Sequence, residues 1–178
     1  IDDYRLTTLV GPGGFGKTRL AVEVARALLD RMPDGAWLVE LAAVANGADV
    51  PAAVLAAMDL REPSLPTREK AEDPLDRLVA ALRSRSALLV LDNCEHVIGD
   101  VAALADRLLG DCPRLRILTT SREPLSITGE AVWPVEPLGL PPDDLDSRAV
   151  LGYDAVQLLV DRARAVRPGF TVTDDNAA

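Results

Sequence analysis

The apolar positions of this chain follow two alternating rhythms. Short, mainly apolar runs at 5–10, 36–41, 87–91, 115–119 and 131–135 have the length of strands covered on both faces. Between them the spacing changes to that of a helix. Over 17–29, Leu20, Val24, Ala27 and Leu28 recur at helical intervals and are expected to face the sheet. A short helix over 50–58 puts Val54 and Met58 on one side, and a third is marked by Leu75, Leu78, Val79 and Leu82. The stripe Val97, Val101, Leu104, Ala105 and Leu108 predicts a sheet-covering helix over 97–109. Pro33-Asp34-Gly35 closes the first strand–helix unit, while 61–73, charged and with two prolines, reads as an exposed connection. Alternating strands and helices of this kind predict an α/β domain with a mainly parallel sheet and helices on both faces. Ligands then belong at the carboxyl ends of the strands.

The pattern changes over 134–142, where four prolines fall within nine residues. This predicts a first domain over 1–135, then a linker and the start of a helical subdomain over 136–178. The helix expected there, 149–166, carries Val156, Leu159, Val160 and Ala163.

Bulk properties narrow the functional classes. A length of 178 residues suits one α/β domain with a substantial core, or one domain and part of another. A net charge of −9 and a pI near 4.6 argue against direct nucleic-acid binding by this segment, and against a membrane-surface footprint. No apolar run approaches the roughly 18 residues of a membrane span. Cys94 and Cys112 form no CxxC and accompany a single histidine, which suggests neither a disulfide framework nor a zinc site. Arginine outnumbers lysine 17 to 2, and with abundant alanine this has the look of a GC-rich bacterial coding sequence.

One of the two lysines lies in Gly11-Pro12-Gly13-Gly14-Phe15-Gly16-Lys17-Thr18, which fits G-x-x-x-x-G-K-[ST] without a mismatch. The motif follows a predicted strand and opens a predicted helix, as a phosphate-binding loop must. Gly13, Gly14 and Gly16 let successive backbone N–H groups approach phosphates, and the helix that begins at Lys17, Thr18 and Arg19 adds its free amino-terminal donors. Lys17 is suited to the β- and γ-phosphates and the Thr18 hydroxyl to Mg²⁺. The expected ligands are ATP or ADP with Mg²⁺, in an ATP-containing, cytoplasmic compartment.

A Mg²⁺–phosphate site calls for a carboxylate at a neighbouring strand end. Leu88-Leu89-Val90-Leu91-Asp92 supplies Asp92 as that metal acid. The next position is Asn93, which orients a water but cannot take its proton. Glu95 is the nearest ionisable substitute and His96 the next; the alternatives are a turn acid and a surface histidine. Thr119-Thr120-Ser121-Arg122 follows the fourth strand, placing Arg122 to meet the γ-phosphate from the side opposite Lys17. Its other reading is a surface arginine paired with Glu123.

The segments around Gly11–Thr18, Leu88–His96 and Thr119–Pro124, with VWPVEPL and RARAVRPGF in order, resemble the nucleotide-binding domain of STAND-class signal-transduction ATPases. The likeness is to the NB-ARC-like domains of actinobacterial SARP and large LuxR-type regulators, and it covers nearly the whole chain. It implies a P-loop NTPase three-layer sandwich with five strands in the order 5-1-4-3-2. It also implies Lys17 and Thr18 as the Walker A pair, Asp92 as the Walker B acid and Arg122 as a sensor. The implied activity is a slow ATPase switch, closed with ADP and opened by ATP for self-association or contacts with other domains of a larger regulator. That family's adenine-contacting Gly-Arg-Glu is expected before Ile1 and its Gly-Leu-Pro after Ala178, so weaker nucleotide binding than in the intact protein is expected.

Rival readings have less in the sequence. A GTPase wants Asn-Lys-x-Asp, whereas Lys70 lies in Arg68-Glu69-Lys70-Ala71. A small-molecule kinase wants a basic lid, and a Ser121–His96–Asp hydrolase lacks a nucleophile elbow. A nucleotide-dependent scaffold with little hydrolysis is the alternative that Asn93 favours.

Overall fold

The structure, a computed structural model, describes residues 3–60, 73–142, 148–173 and 176. The predicted connection over 61–73, with Lys70, lies outside the described residues except for Asp73. The chain divides into two compact units, Ile1–Val135 and Glu136–Ala178.

In the first unit five strands, β1 (Leu6–Val10), β2 (Ala36–Glu40), β3 (Leu88–Asp92), β4 (Arg116–Ser121) and β5 (Glu130–Pro134), form one sheet in the order β2-β3-β4-β1-β5. Each neighbouring pair is parallel. This is the three-layer P-loop NTPase arrangement expected from the sequence. Side-chain alternation along the strands divides the core in two. Leu89 and Leu91 join the larger cluster with Leu6, Val39 and Ile117, whereas Leu88 and Val90 join Leu9 and Leu118 on the opposite face.

Helices cover both faces. The larger cluster is closed by α2 (Val50–Ala57), α3 (Pro74–Leu82) and α4 (Ile98–Asp111). Its helical positions include Val54, Leu78, Val79, Leu82, Val101, Leu104, Ala105 and Leu108 of the predicted stripes, with Met58 just past the end of α2. Asp73 starts α3 by accepting a bond from Leu75 N at 2.9 Å, with Pro74 at the first helical position. At the other end of the layer, Arg5 caps α4. Its Nη2 donates to Leu109 O at 2.6 Å and Cys112 O at 3.2 Å, and its Nε to Leu115 O at 3.3 Å.

The opposite face is covered by α1 (Lys17–Leu28), and here the expected stripe is corrected. Leu20 and Ala27 are exposed; Ala21, Val24, Ala25 and Leu28 meet the sheet. Val24 and Leu28 lie inward as predicted, with Ala21 and Ala25 in place of Leu20 and Ala27, while Thr18 at the open end of the helix reaches Asp92 Oδ1 at 2.8 Å. Positions 21, 24, 25 and 28 form the inward stripe, and two alanines in it allow a close approach.

In the second unit, one helical turn (Val150–Gly152) precedes α5 (Asp154–Val166). Val150 and Val160 are buried, while Leu159, expected on the inward stripe, is exposed. No helix among the described residues is long and apolar enough to cross a membrane.

Candidate functional site

The carboxyl ends of β1, β3 and β4 meet at the loop Gly11–Gly16. The loop's path depends on glycine at three points, Gly14 among them with φ of 84°. Gly16 caps α1 with φ of 81°, a left-handed conformation that a side chain would strain. At Gly11 the limit is space, since a Cβ there would lie 2.9 Å from Val135 O. Gly11 N also donates to Ser121 O at 3.3 Å, which ties the loop to the end of β4.

No side chain caps α1, and its first turn carries no acid. Its free N–H groups and positive dipole end are therefore directed to whatever anion the loop takes. Lys17 Nζ turns back over the loop and donates to Gly11 O at 2.7 Å and Pro12 O at 3.0 Å. Phe15 is half-buried beside Gly11, and Arg19 is exposed in the first turn of α1.

Asp92 is buried at the end of β3, at the apex of a small hydroxyl–carboxylate cluster. Its Oδ1 accepts from Thr18 Oγ1 at 2.8 Å and from Thr120 Oγ1 at 2.5 Å. Thr120 Oγ1 in turn accepts from Asn93 N at 2.9 Å, and Cys94 N donates to Thr120 O at 3.0 Å. These bonds hold Asn93 at φ of 64°, so the chain reverses sharply after β3. Cys94 is driven into the core, where burial pushes its thiol up to about 12, with Asp92 and Glu95 adding in the same sense against the Thr120 backbone bond.

The reversal presents Glu95 to β4. Glu95 Oε1 pairs with Arg122 Nε at 3.2 Å, so Arg122 is paired with Glu95 rather than with Glu123. Arg122 Nη2 would lie 3.7 Å from a Cβ on Gly13, which sets the guanidinium over the phosphate loop. His96 is directed away; its Nε2 meets Val44 O at 2.9 Å beyond the end of β2. The structure thus brings Lys17, Thr18, Asp92, Glu95 and Arg122 to one end of the sheet and leaves His96 outside the group.

A second polar network escaped the sequence reading. Buried Thr119 donates to Thr8 Oγ1 at 2.7 Å, and Thr8 donates to Glu130 Oε1 at 2.5 Å. Glu130 also accepts from Leu125 N and Ser126 N, each at 2.8 Å. It fastens the helix-free connection from β4 to β5, in which Arg122 lies. The available signal was the threonines themselves, because a hydroxyl in a fully covered strand needs a partner.

The oxygen donors fit Mg²⁺ with substrate phosphates. Thr18 and Asp92 supply a hydroxyl and a carboxylate, and Mg²⁺ commonly takes one or two such groups and leaves the rest to phosphate and water. Among the described residues no group of three or more His, Cys, Asp or Glu side chains is arranged to hold a metal alone.

Comparison with known proteins agrees with this geometry. The AAA domain family model matches residues 1–128. An uncharacterized protein of Mycobacterium tuberculosis is 39% identical over 178 residues, covering 99% of this chain and 41% of the relative. A protein of the same organism described as an HTH-type transcriptional regulator is 41% identical over 174 residues, covering 98% of this chain and 18% of the relative. The chain therefore spans well under half the length of these relatives. Among solved structures, the Aeropyrum pernix ORC1 protein in complex with DNA superposes with a TM-score of 0.59 at 20% identity, over 97% of this chain and 51% of that one. A STAND protein with a tetratricopeptide repeat sensor from Pyrococcus horikoshii gives 0.51 at 15% identity, over 94% and 24%. These two likenesses concern the fold. The family match spans the first four strands, the glycine loop and the Asp92 and Arg122 strand ends together, and by it this chain belongs to the AAA domain family as a nucleotide-binding, P-loop member.

Proposed function

We propose that this chain is an ATP/ADP-binding switch that hydrolyses ATP slowly with Mg²⁺ and controls a multidomain transcriptional regulator of the SARP or large LuxR type. The observation that carries the reading is the Thr18–Asp92 contact of 2.8 Å beside a lysine folded over a glycine loop. It joins the hydroxyl and carboxylate that a Mg²⁺–nucleotide needs, from two distant parts of the sequence. Lys17 exchanges its carbonyl partners for β- and γ-phosphate oxygens, and the backbone donors of 13–19 hold the remaining phosphate charge. Thr18 and Asp92 would hold Mg²⁺, whose contribution when bound would be to neutralise phosphate charge. Arg122 reports the γ-phosphate from over Gly13. The relatives' much greater length, and the HTH-type regulator among them, support placing the domain in a larger protein, with residues 136–178 as linker and first part of a helical subdomain. Self-association or contact with its other domains then carries the output.

A scaffold that binds nucleotide with little hydrolysis is the second reading. It is favoured by Asn93 following Asp92 and by the engagement of Glu95 with Arg122. Single-turnover measurement with Mg²⁺ and γ-labelled ATP decides between them. Phosphate release that is abolished by Asp92→Asn supports the slow ATPase; tight ATP binding with no release supports the scaffold.

A further inference from the structure

Glu95 has the wrong engagement for a free base and the right one for a counter-charge. Its Oε1 lies 3.2 Å from Arg122 Nε, and its side chain is largely buried while that of Arg122 is largely exposed. Its other oxygen, Oε2, is buried, and no described protein group donates to it. Arg122 therefore supplies the charge compensation of this carboxylate. The same guanidinium extends its Nη2 over Gly13, so one cation stands between a fixed acid and the place for a terminal phosphate.

We propose that Glu95 is a positioning residue that restrains Arg122, and that a triphosphate engages Arg122 only by competing with this carboxylate. The inference rests on the phosphate-loop reading above and gives it a threshold. A pair whose arginine is largely exposed is screened by water and weak, worth about 1 kcal/mol or less. A γ-phosphate, which offers more charge and a bidentate surface to the guanidinium, can displace it. A diphosphate, ending one group short, leaves the pair intact. The pair thus sets how strongly the domain separates ATP from ADP. The segment after β4 and the turn after β3 are otherwise fastened, the first by Glu130 and the second by Thr120, so the exchange of partners by Arg122 is a local step between two held points.

The test is equilibrium binding of ATP and of ADP to the full chain, in EDTA to prevent turnover, for the parent, Glu95→Gln, Arg122→Gln and the double variant. Melting curves confirm that each variant is folded. Release of a pair worth about 1 kcal/mol corresponds to a gain of roughly five-fold in ATP affinity for Glu95→Gln, with ADP affinity changed by less than two-fold. In the Arg122→Gln background the same Glu95→Gln change is expected to have no effect on ATP affinity. Unchanged ATP affinity in Glu95→Gln would overturn the restraint while leaving nucleotide binding intact. A gain that persists without Arg122 would also overturn it, since Glu95 would then act on the phosphate directly. Failure of the parent chain to bind either nucleotide would instead remove the phosphate-loop reading on which the restraint depends.

Discussion

Thr120→Val is the substitution that most directly probes how the site is built. The two side chains have nearly the same shape, so the change removes chemistry without opening a cavity. Thr120 is fully buried and donates to Asp92 Oδ1 at 2.5 Å while accepting from Asn93 N at 2.9 Å. A hydrogen bond to a charged group contributes about 1.5–3 kcal/mol, and a backbone donor left without a partner costs about 1 kcal/mol or more. Valine is therefore expected to destabilise the first unit by about 3 kcal/mol. At an m-value of about 2 kcal/mol per molar urea this is a midpoint shift of about 1.5 M. Both tryptophans, Trp37 and Trp133, lie in this unit, so their fluorescence follows its unfolding alone. Two controls accompany it. Thr120→Ser keeps both bonds and loses a methyl, about 1 kcal/mol. Thr7→Val removes a buried hydroxyl that has no described protein partner, and is expected to be neutral or stabilising by up to about 1 kcal/mol. If Thr120→Val were no worse than Thr120→Ser, the hydroxyl cluster around Asp92 would not be holding the strand end.

Arg5→Met keeps much of the packing of the stem but strips two carbonyl bonds from the end of α4 and a third from Leu115; a loss of about 2 kcal/mol is expected in the same urea assay. Cys94 predicts an alkaline limb. Its thiol is raised from 9.0 to about 12 in the folded chain, so above pH 9 the unfolded chain releases a proton that the folded chain retains. Stability falls with rising pH through that window, by up to about 1.4 kcal/mol per unit from this group, and Cys94→Ala should flatten the slope. Gly11→Ala sets a Cβ 2.9 Å from Val135 O, and is expected to weaken ATP binding at least ten-fold while lowering the melting temperature, measured by titration and by thermal scan. Thr18→Ala should reduce the Mg²⁺-dependent gain in ATP affinity more than the affinity measured in EDTA.

Much of the fold was legible because burial leaves a local record. The inner strands read as mainly apolar runs, whereas the edge strands β2 and β5, expected to be covered on both faces, leave Leu38, Val132 and Trp133 exposed; α4 carried its whole inward stripe in its spacing. Residues whose position is set by distant side chains left no such record. Leu20 has the spacing of a core residue, yet in the folded helix Ala21 takes the inward place while Thr18 meets Asp92 across 74 positions of sequence. Arg5 looked like a strand residue, and only the folded chain brings it to carbonyls 104 to 110 positions away. The candidate site was legible as residue types at strand ends. What the sequence left open was the pairing among them, because Glu123 lies beside Arg122 in the chain while Glu95 lies beside it in space. His96 went the same way. Its neighbours in sequence belong to the site, but its ring is taken up by Val44 O.

The central claim is that the loop holding Lys17 binds nucleoside triphosphate. Isothermal titration of ATP with Mg²⁺ into the chain and into Lys17→Ala tests it most directly. Saturable binding at one site per chain, weakened at least 100-fold by Lys17→Ala in a protein of unchanged melting behaviour, is the result the account predicts. ATP affinity unaltered by loss of the lysine would contradict it.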